Sequence, residues 1–202
     1  MAAAASGRGR DDLAGDGGRL SPLSTPSATR LVLESHGIGT KYTLGQNFLV
    51  NDDVLKRIIA LAEVGERDRI LEVGPGIGTL TIALLKHAAS VVAVERDPDL
   101  PAVLADTLYP WRERFALIEK DALNLTAADI GEPPPSKLVS NLPYAVAATV
   151  VPLGPGPDEA AKFPLLAGTV VLLAAGEAVR LACRRGGSRG RAAGAGTPAP
   201  GA

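Results

Sequence analysis

The sequence contains one cysteine, few aromatic residues and no apolar run long enough to cross a bilayer. Cys183 has no partner for an internal disulfide, which is typical of proteins from a reducing compartment. Aromatic residues make up 3% of the 202 residues, so the core must be built from aliphatic side chains. The longest apolar run, from Phe163 to Gly176, is too short for a membrane span, and the N-terminus lacks a signal-peptide core. We therefore expect a soluble, cytoplasmic protein with no membrane contact.

A surplus of positive charge is also missing. Residues 1–151 hold 15 Lys and Arg against 19 Asp and Glu, a net charge of −4, whereas residues 152–202 hold 6 against 3. Proteins that bind nucleic acid mainly through its phosphates usually carry a basic surplus. Any affinity for RNA must therefore come from a local patch or from parts that are not present.

The composition divides the chain into three parts. Residues 1–27 are rich in Ala, Gly, Ser, Asp and Arg without apolar periodicity, which predicts a disordered leader. Residues 28–151 have the pattern of a folded domain. Of the 51 residues from 152 to 202, 33 are Ala, Gly, Pro or Arg. This predicts a low-complexity tail that is not native to the fold, although "GTVVLLAA" within it could form one strand.

The middle part predicts an α/β protein. Apolar runs that predict strands alternate with runs that predict helices: the strands are "RILEVG", "SVVAVE", "FALIEKD" and "SKLVSNLP", and the helices are "GTLTIALLKHA", "DPDLPAVLADTLY" and "YAVAATVV". Such alternation implies right-handed crossovers and a doubly wound parallel sheet, which we expect to be incomplete after its fourth strand. Upstream, residues 27–34 predict a short helix, and Asn51 predicts the N-cap of another.

The first strand leads into a glycine-rich loop, "ILEVGPGIGTLT". Gly74, Gly76 and Gly78 let the backbone come close to a ligand, and Glu72 precedes them. A nicotinamide site would prefer G-x-G-x-x-G, whereas Thr79 occupies the place of that last glycine. The order of strand, acid, glycine loop and helix is that of S-adenosylmethionine-dependent methyltransferases. The alternative is a tight strand–helix turn that binds nothing.

Carboxylates follow the next two strands. Glu95 ends the second strand, where it can accept hydrogen bonds from both ribose hydroxyls of a nucleoside. Asp121 follows the third strand, where it can accept from an adenine amine. The alternatives are a solvated acid for Glu95 and a helix N-cap for Asp121. Because the carboxyl ends of parallel strands share one edge of the sheet, we favour a single nucleoside site.

The fourth strand ends in "NLPY", which predicts the reaction. The exocyclic N6 of adenine is a poor nucleophile, because its lone pair is delocalised into the ring. The Asn141 side-chain oxygen and the Leu142 carbonyl can accept hydrogen bonds from its two N–H groups, while Pro143 fixes the turn. Tyr144 offers a face on which a flipped base can stack. Catalysis is then mostly positioning and electrostatics. The alternative is a Pro-Tyr turn before a helix.

Five motifs in this order resemble one family: "TLGQNFL", "LEVGPGIGTLT", "VVAVERD", "KDAL" and "SNLPY". They are similar to those of the ribosomal RNA small-subunit adenine N6,N6-dimethyltransferases of the KsgA (RsmA) type, relatives of the erythromycin-resistance rRNA methylases. The resemblance covers residues 28–151. It implies a Rossmann-like, S-adenosylmethionine-dependent enzyme that dimethylates two adjacent adenosines in a hairpin near the 3′ end of small-subunit (16S) rRNA during ribosome biogenesis. We expect a monomer that acts on the 30S particle without a metal.

The resemblance also implies residue roles. The implied cofactor-binding residues are Asn47, Leu49, Gly74, Gly76, Glu95, Asp121 and Asn141, and the catalytic ones are Asn141, Leu142, Pro143 and Tyr144. The roles of Asn47 and Leu49 come from the resemblance alone, since "QNFLV" by itself reads as a loop that enters a helix.

The family's pattern is not visible after Val151. In the family the fold continues for three more strands and a small helical domain, which supply the second wall of the adenine pocket. We therefore expect a weakly active or inactive chain. A shift of reading frame near codon 151 would explain the tail, because codons of G and C alone encode Ala, Gly, Pro and Arg. A natural low-complexity tail is the alternative explanation.

Two other functions stay open. One is a non-catalytic protein that binds ribosome-assembly intermediates. The other is a methyltransferase for a small molecule, against which "NLPY" argues because that motif suits a planar amine.

Overall fold

A computed structural model describes residues 18–39, 48–142, 169–174 and 177–182. The α-helices in these ranges are α1 Pro26–Ser35, α2 Asp52–Ala62, α3 Thr79–Leu85, α4 Leu100–Thr107 and α5 Ala127–Ile130. The strands are β1 Arg69–Val73, β2 Ser90–Glu95, β3 Phe115–Glu119, β4 Lys137–Asn141, β5 Thr169–Ala174 and β6 Glu177–Ala182. Two short 3-10 helices, η1 Tyr109–Trp111 and η2 Ala122–Asn124, lie on either side of β3. No helix in these ranges is long and apolar enough to cross a bilayer.

The strands form one sheet in the order β3-β2-β1-β4-β5-β6. Neighbouring strands from β3 to β5 are parallel, and β6 returns antiparallel to β5. The doubly wound α/β class predicted from the alternation is confirmed. From β1, the chain adds β2 and β3 on one side and β4 and β5 on the other, so the strand order reverses between β1 and β4. In doubly wound sheets, ligands bind at such a reversal, outside the carboxyl ends of the strands.

The sheet extends past the fourth strand, at which the sequence predicted its end. β5 lies within "GTVVLLAA", the stretch of the tail with strand potential, and pairs with β4 along the whole of β4. β6 has the sequence "EAVRLA", in which two charged residues interrupt the apolar run, so its composition gave no strand signal. The helix predicted over "YAVAATVV" lies outside the described residues.

Packed structure begins before residue 28, within the predicted leader. Leu23 is buried in the core. Asp52 Oδ1 accepts a hydrogen bond from Leu20 N at 2.7 Å and another from Ser24 Oγ at 3.2 Å. The composition of the leader could not reveal this contact, because it depends on a carboxylate about thirty residues further along the chain.

The strands β1, β2 and β4 are buried on both faces of the sheet. Alternate strand residues point to opposite sides, as the period of two requires. Ile70, Val91 and Val139 join the larger apolar cluster, together with residues of α1, α2, α3 and α4. Leu71 and Val92 join a smaller cluster on the other face, with residues of η2 and α5. Both faces of a parallel sheet must be covered in this way, and the sheet can then hold its strand ends rigidly.

Candidate active site

The predicted functional segments meet at one edge of the sheet, at the carboxyl ends of its strands. In the registers of β1 with β2 and of β2 with β3, Val73 lies beside Val94 and Glu95 beside Glu119. Gly74 N donates a hydrogen bond to Val94 O at 2.9 Å, which continues the ladder into the glycine loop. The structure therefore brings four predicted site residues onto adjacent strand ends, in the spatial order Asn141, Gly74, Glu95 and Asp121.

The glycine loop lies between two of the other motifs. Gly74 and Gly76 have φ angles of +67° and +60°, which residues with a side chain rarely adopt. A methyl group on Gly74 would lie 3.4 Å from Leu142 Cδ2, and one on Gly76 would lie 3.3 Å from Phe48 Cε1. Phe48 belongs to "GQNFL" and Leu142 to "NLPY". Three motifs that are far apart in the sequence are thus in contact, with the loop in the middle.

Glu95 is a buried carboxylate at the end of β2, with 8% of its surface exposed. Its Oε1 accepts hydrogen bonds from Arg96 N at 2.8 Å and Asp97 N at 2.9 Å. These bonds fix the direction of the carboxylate, and the alternative of a solvated acid is wrong. Oε2 accepts no hydrogen bond from the residues that the structure describes, so it is the oxygen that a ligand can use.

Glu72 is a second buried carboxylate, with 1% of its surface exposed. Burial and, to a smaller extent, the negative charge of Glu95 raise the pKa of its carboxyl from 4.5 to about 8, against the opposing effect of the Thr81 hydroxyl. Within the described part of the chain, Glu72 Oε2 has no hydrogen-bond partner. A buried acceptor without a partner, next to the glycine loop, fits a ligand that carries positive charge or N–H donors.

Asp121 acts as the N-cap of η2, which was the alternative interpretation of this residue. Its Oδ1 accepts a hydrogen bond from Leu123 N at 2.9 Å, and its Oδ2 lies 3.5 Å from Arg96 Nη1. The side chain is partly exposed at the rim of the edge, and the apolar side chain of Leu123 beside it is 60% exposed. Its contact with an adenine amine stays a prediction.

The acceptor motif is described only at its start. Asn141 ends β4 in a partly buried position, and Leu142 is buried. Leu49 is partly buried and packs against the larger apolar cluster. The remaining predicted site residues, Asn47, Pro143 and Tyr144, lie outside the described residues, and their roles stay predictions.

Ser140 is a site residue that the sequence did not reveal. Its Oγ accepts a hydrogen bond from Val73 N at 2.8 Å, in buried surroundings. The bond joins a side chain of β4 to the backbone of β1, so no local pattern could have predicted it. The sequence did draw attention to Glu72 by its position before the glycines, but it gave no sign of the carboxylate's burial.

The edge offers carboxylates, an amide and a loop free of side chains. In the part of the chain that the structure describes, no group of three His, Cys, Asp or Glu side chains is placed to hold a metal ion. Carboxylates at the ends of parallel strands beside a glycine loop recognise a nucleoside through its hydroxyl and amine groups. The arrangement is therefore suited to a nucleoside-containing cofactor.

A family match agrees with this geometry. The sequence profile of the ribosomal RNA adenine dimethylases matches residues 39–189. The chain belongs to this family. The matched range contains the glycine loop and all four strand ends, and it also includes β5 and β6, beyond the point at which the sequence predicted the likeness to end. S-adenosylmethionine, the predicted cofactor, is the methyl donor of the family.

Curated relatives carry the same family name. The ribosomal RNA small subunit methyltransferase A of Paenarthrobacter aurescens is 43% identical over 136 residues, which are 65% of this chain and 45% of the relative. The protein of that name from Nocardia farcinica is 40% identical over 168 residues, which are 81% of this chain and 55% of the relative. The chain thus spans about half the length of the curated relatives that it matches. The predicted resemblance is confirmed.

Solved structures of the family confirm the Rossmann-like methyltransferase fold. The 23S rRNA methyltransferase ErmE is 28% identical, with a TM-score of 0.50 over 63% of this chain and 48% of its own. A dimethyladenosine transferase from Plasmodium falciparum shows the same fold at 23% identity, with a TM-score of 0.50 over 61% of this chain and 42% of its own.

Proposed function

We propose that this chain binds S-adenosylmethionine at the carboxyl ends of β1 to β4, and that its site methylates the N6 amine of adenine in ribosomal RNA. The observation that carries this proposal is the convergence of four predicted site residues on adjacent strand ends at the reversal of strand order: Asn141, Gly74, Glu95 and Asp121. Membership of the ribosomal RNA adenine dimethylases supports it.

The described residues fit the cofactor. When bound, S-adenosylmethionine supplies an electrophilic methyl group on a sulfonium sulfur. The loop at Gly74 and Gly76 lets backbone approach the ligand without side chains in the way. Glu95 Oε2 is available to the ribose hydroxyls, and Asp121 to the adenine amine. The unpartnered Oε2 of Glu72 adds a buried acceptor for an N–H or O–H donor of the cofactor.

The acceptor segment can activate a poor nucleophile. Asn141 Oδ1 and the Leu142 carbonyl accept hydrogen bonds from the two N–H groups of the adenine amine. These bonds favour a pyramidal nitrogen whose lone pair is localised and therefore nucleophilic. Tyr144 supplies a stacking face for the base, which must leave its helix to reach the site. The contribution of these residues is positioning and electrostatics.

The finer assignment is the dimethylation of two adjacent adenosines in a hairpin near the 3′ end of small-subunit rRNA. A monomer would carry this out on the 30S particle, in the cytoplasm, during ribosome biogenesis. The name of the relatives, ribosomal RNA small subunit methyltransferase A, supports the choice of subunit. Because residues 1–151 carry a net charge of −4, their attraction to phosphate is weak, and we expect slow transfer by these 202 residues.

Transfer of a labelled methyl group to unmethylated small ribosomal subunits tests the proposal. Digestion of the RNA to nucleosides should reveal N6,N6-dimethyladenosine. Asn141→Ala should abolish the product, because the amide acts on the amine as its nitrogen becomes pyramidal. Asn124→Ala, at an exposed amide at the end of η2, is the matched control and should leave transfer unchanged. Label on a different nucleoside, or normal transfer by Asn141→Ala, would contradict the proposal.

A comparison at Tyr144 tests the stacking role. Tyr144→Phe should transfer faster than Tyr144→Ala, because stacking needs the ring and not the hydroxyl. Equal losses in the two variants would contradict that role.

A further inference from the structure

The pairing of β1 with β4 ends before the carboxyl ends of the two strands. In the described residues, the two strands pair through Ile70–Leu71 and Lys137–Leu138, and the pairing stops there. β1 stays paired with β2 as far as Val73, and β4 stays paired with β5 as far as Asn141. The unpaired stretch therefore lies between two strands that are each paired on their outer side. It lies at the reversal of strand order, next to the glycine loop.

A side-chain hydrogen bond joins the two strands in this unpaired stretch. Val73 N donates to Ser140 Oγ at 2.8 Å, and Ser140 has 1% of its surface exposed. In a continuous parallel ladder, Val73 N would donate to a backbone carbonyl of β4. The hydroxyl thus replaces a backbone acceptor at the point where the pairing of β1 with β4 has ended. Without it, a buried N–H would lose its partner, which is costly.

Both ends of this bond lead directly into site segments. Val73 precedes Gly74, and Ser140 precedes Asn141. The two segments also touch, since a methyl group on Gly74 would lie 3.4 Å from Leu142 Cδ2. The bond therefore lies where the spacing between the cofactor loop and the acceptor segment is determined.

We propose that Ser140 is a positioning residue, whose hydroxyl fixes the distance between the glycine loop and the acceptor segment, residues 141–142. The inference rests on the proposed function. Two of the cofactor residues, Gly74 and Glu95, lie on the part of the sheet in which β1, β2 and β3 are paired throughout, whereas Asn141 belongs to the acceptor segment. They should keep their geometry when the bond is lost, whereas the acceptor segment on β4 can shift.

Loss of the bond should therefore affect turnover more than cofactor affinity. Reacting atoms must lie about 3–3.5 Å apart, and a misplacement of about 1 Å can reduce the rate about a hundredfold. A merely structural role would instead weaken both sides of the site together.

The test compares Ser140→Ala with Ser136→Ala in the 202-residue chain. Ser136 Oγ donates to Asp68 Oδ1 at 2.7 Å, near the opposite end of β4, so its loss removes a β1–β4 contact far from the site. Three quantities are measured: the dissociation constant of S-adenosylmethionine, the single-turnover rate of methyl transfer to unmethylated small subunits, and the exchange rate of the Val73 amide by NMR.

We expect Ser140→Ala to slow transfer by about tenfold or more, to change the dissociation constant by less than about threefold, and to accelerate exchange of the Val73 amide. Ser136→Ala should leave all three quantities near their wild-type values. Ser140→Thr keeps the hydroxyl and should restore both the rate and the protection of Val73. Unchanged transfer in Ser140→Ala would overturn the proposal, and so would an affinity loss as large as the rate loss. If Ser140→Ala does not fold, the test rests on Ser140→Thr. Slow methyl transfer by Ser140→Thr, with the Val73 amide still protected from exchange, would overturn the proposal.

Failure of the proposed function has a different signature. A wild-type chain that binds the cofactor but methylates no adenine would contradict the proposed reaction and not the role of Ser140. The proposal then depends on the NMR cross-peak between the Leu142 methyl and the Gly74 α-protons. Its loss in Ser140→Ala would support the positioning role, and its persistence would overturn it.

Discussion

The Phe48 ring lies against Gly76, so close that a methyl group on Gly76 would be 3.3 Å from Phe48 Cε1. Phe48 is buried and joins the larger apolar cluster. Through this contact the "GQNFL" motif packs against the glycine loop. The contact gives a physical reason for the presence of an aromatic residue in a core that is otherwise almost entirely aliphatic.

We expect Gly76→Ala to lower the free energy of unfolding by more than Gly37→Ala does. Both glycines have positive φ angles, +60° and +71°. Both substitutions therefore force Ala into the left-handed region, at about 1–2 kcal/mol. A methyl group on Gly37 would meet nothing within 4 Å, so the difference between the variants reports the Phe48 contact. Urea unfolding measures the free energy of unfolding of both variants. When Gly76→Ala is combined with Phe48→Ala, its extra loss of stability relative to Gly37→Ala should disappear. An extra loss that persists would contradict the contact.

Asp52→Ala should detach the N-terminal segment from α2. Its Oδ1 accepts hydrogen bonds from Leu20 N at 2.7 Å and Ser24 Oγ at 3.2 Å. Loss of this acceptor leaves partly buried donors unpaired, which should cost about 1–3 kcal/mol. Asp53→Ala, at the exposed neighbouring acid, is the control. Urea unfolding measures the loss of stability, and the rate of trypsin cleavage after Arg19 measures the detachment of the N-terminal segment. Equal stability and equal cleavage rates in Asp52→Ala and Asp53→Ala would count against the contact.

Glu72 should make the protein less stable as the pH rises. Its pKa is about 8 in the folded chain, against an ordinary value of 4.5. Below the lower value both states hold the proton. Between the two values the folded chain keeps a proton that the unfolded chain has released, so stability is lost progressively up to the higher value.

Glu72→Gln removes this titration. The stability of the variant relative to wild type should therefore increase between about pH 5 and about pH 8. Urea unfolding at both pH values measures the difference, in which the titration of other groups cancels. Glu119→Gln, at an exposed acid, should show no such change. If the difference in unfolding free energy between wild type and Glu72→Gln is the same at both pH values, Glu72 is not held protonated in the folded chain.

The strands β1 to β4 could be predicted because each is a short apolar run between turn residues, and the four runs alternate with helical segments. β6 could not be predicted in this way, because "EAVRLA" has no strand pattern of its own and its extended structure depends on pairing with β5. Likewise, the boundary of the leader depends on Asp52, which is distant in sequence. Composition alone therefore gave no sign of β6 or of the packed residues before residue 28.

The interpretation of residues 152–202 as foreign to the fold stays a prediction. The pairing of β5 with β4 and the family match to residue 189 weigh against it for these two strands.

The site residues that lie at the ends of strands could be predicted from the sequence. Gly74, Glu95 and Asn141 follow apolar runs, and parallel strands bring such positions to one edge. The hydrogen bond between Val73 and Ser140 could not be predicted, because it joins residues 67 apart and depends on where the pairing of β1 with β4 ends.

Calorimetric titration of the 202-residue chain with S-adenosylmethionine tests the cofactor site most directly. We expect one molecule to bind per chain. Glu95→Ala should weaken binding by about 1.5–3 kcal/mol, the worth of hydrogen bonds from the ribose hydroxyls to a charged acceptor. Glu119→Ala, which lies opposite Glu95 in the β2–β3 register but is exposed, should bind as wild type does. A folded chain that binds no S-adenosylmethionine, or equal affinity in Glu95→Ala and wild type, would contradict the assignment of this edge as the cofactor site.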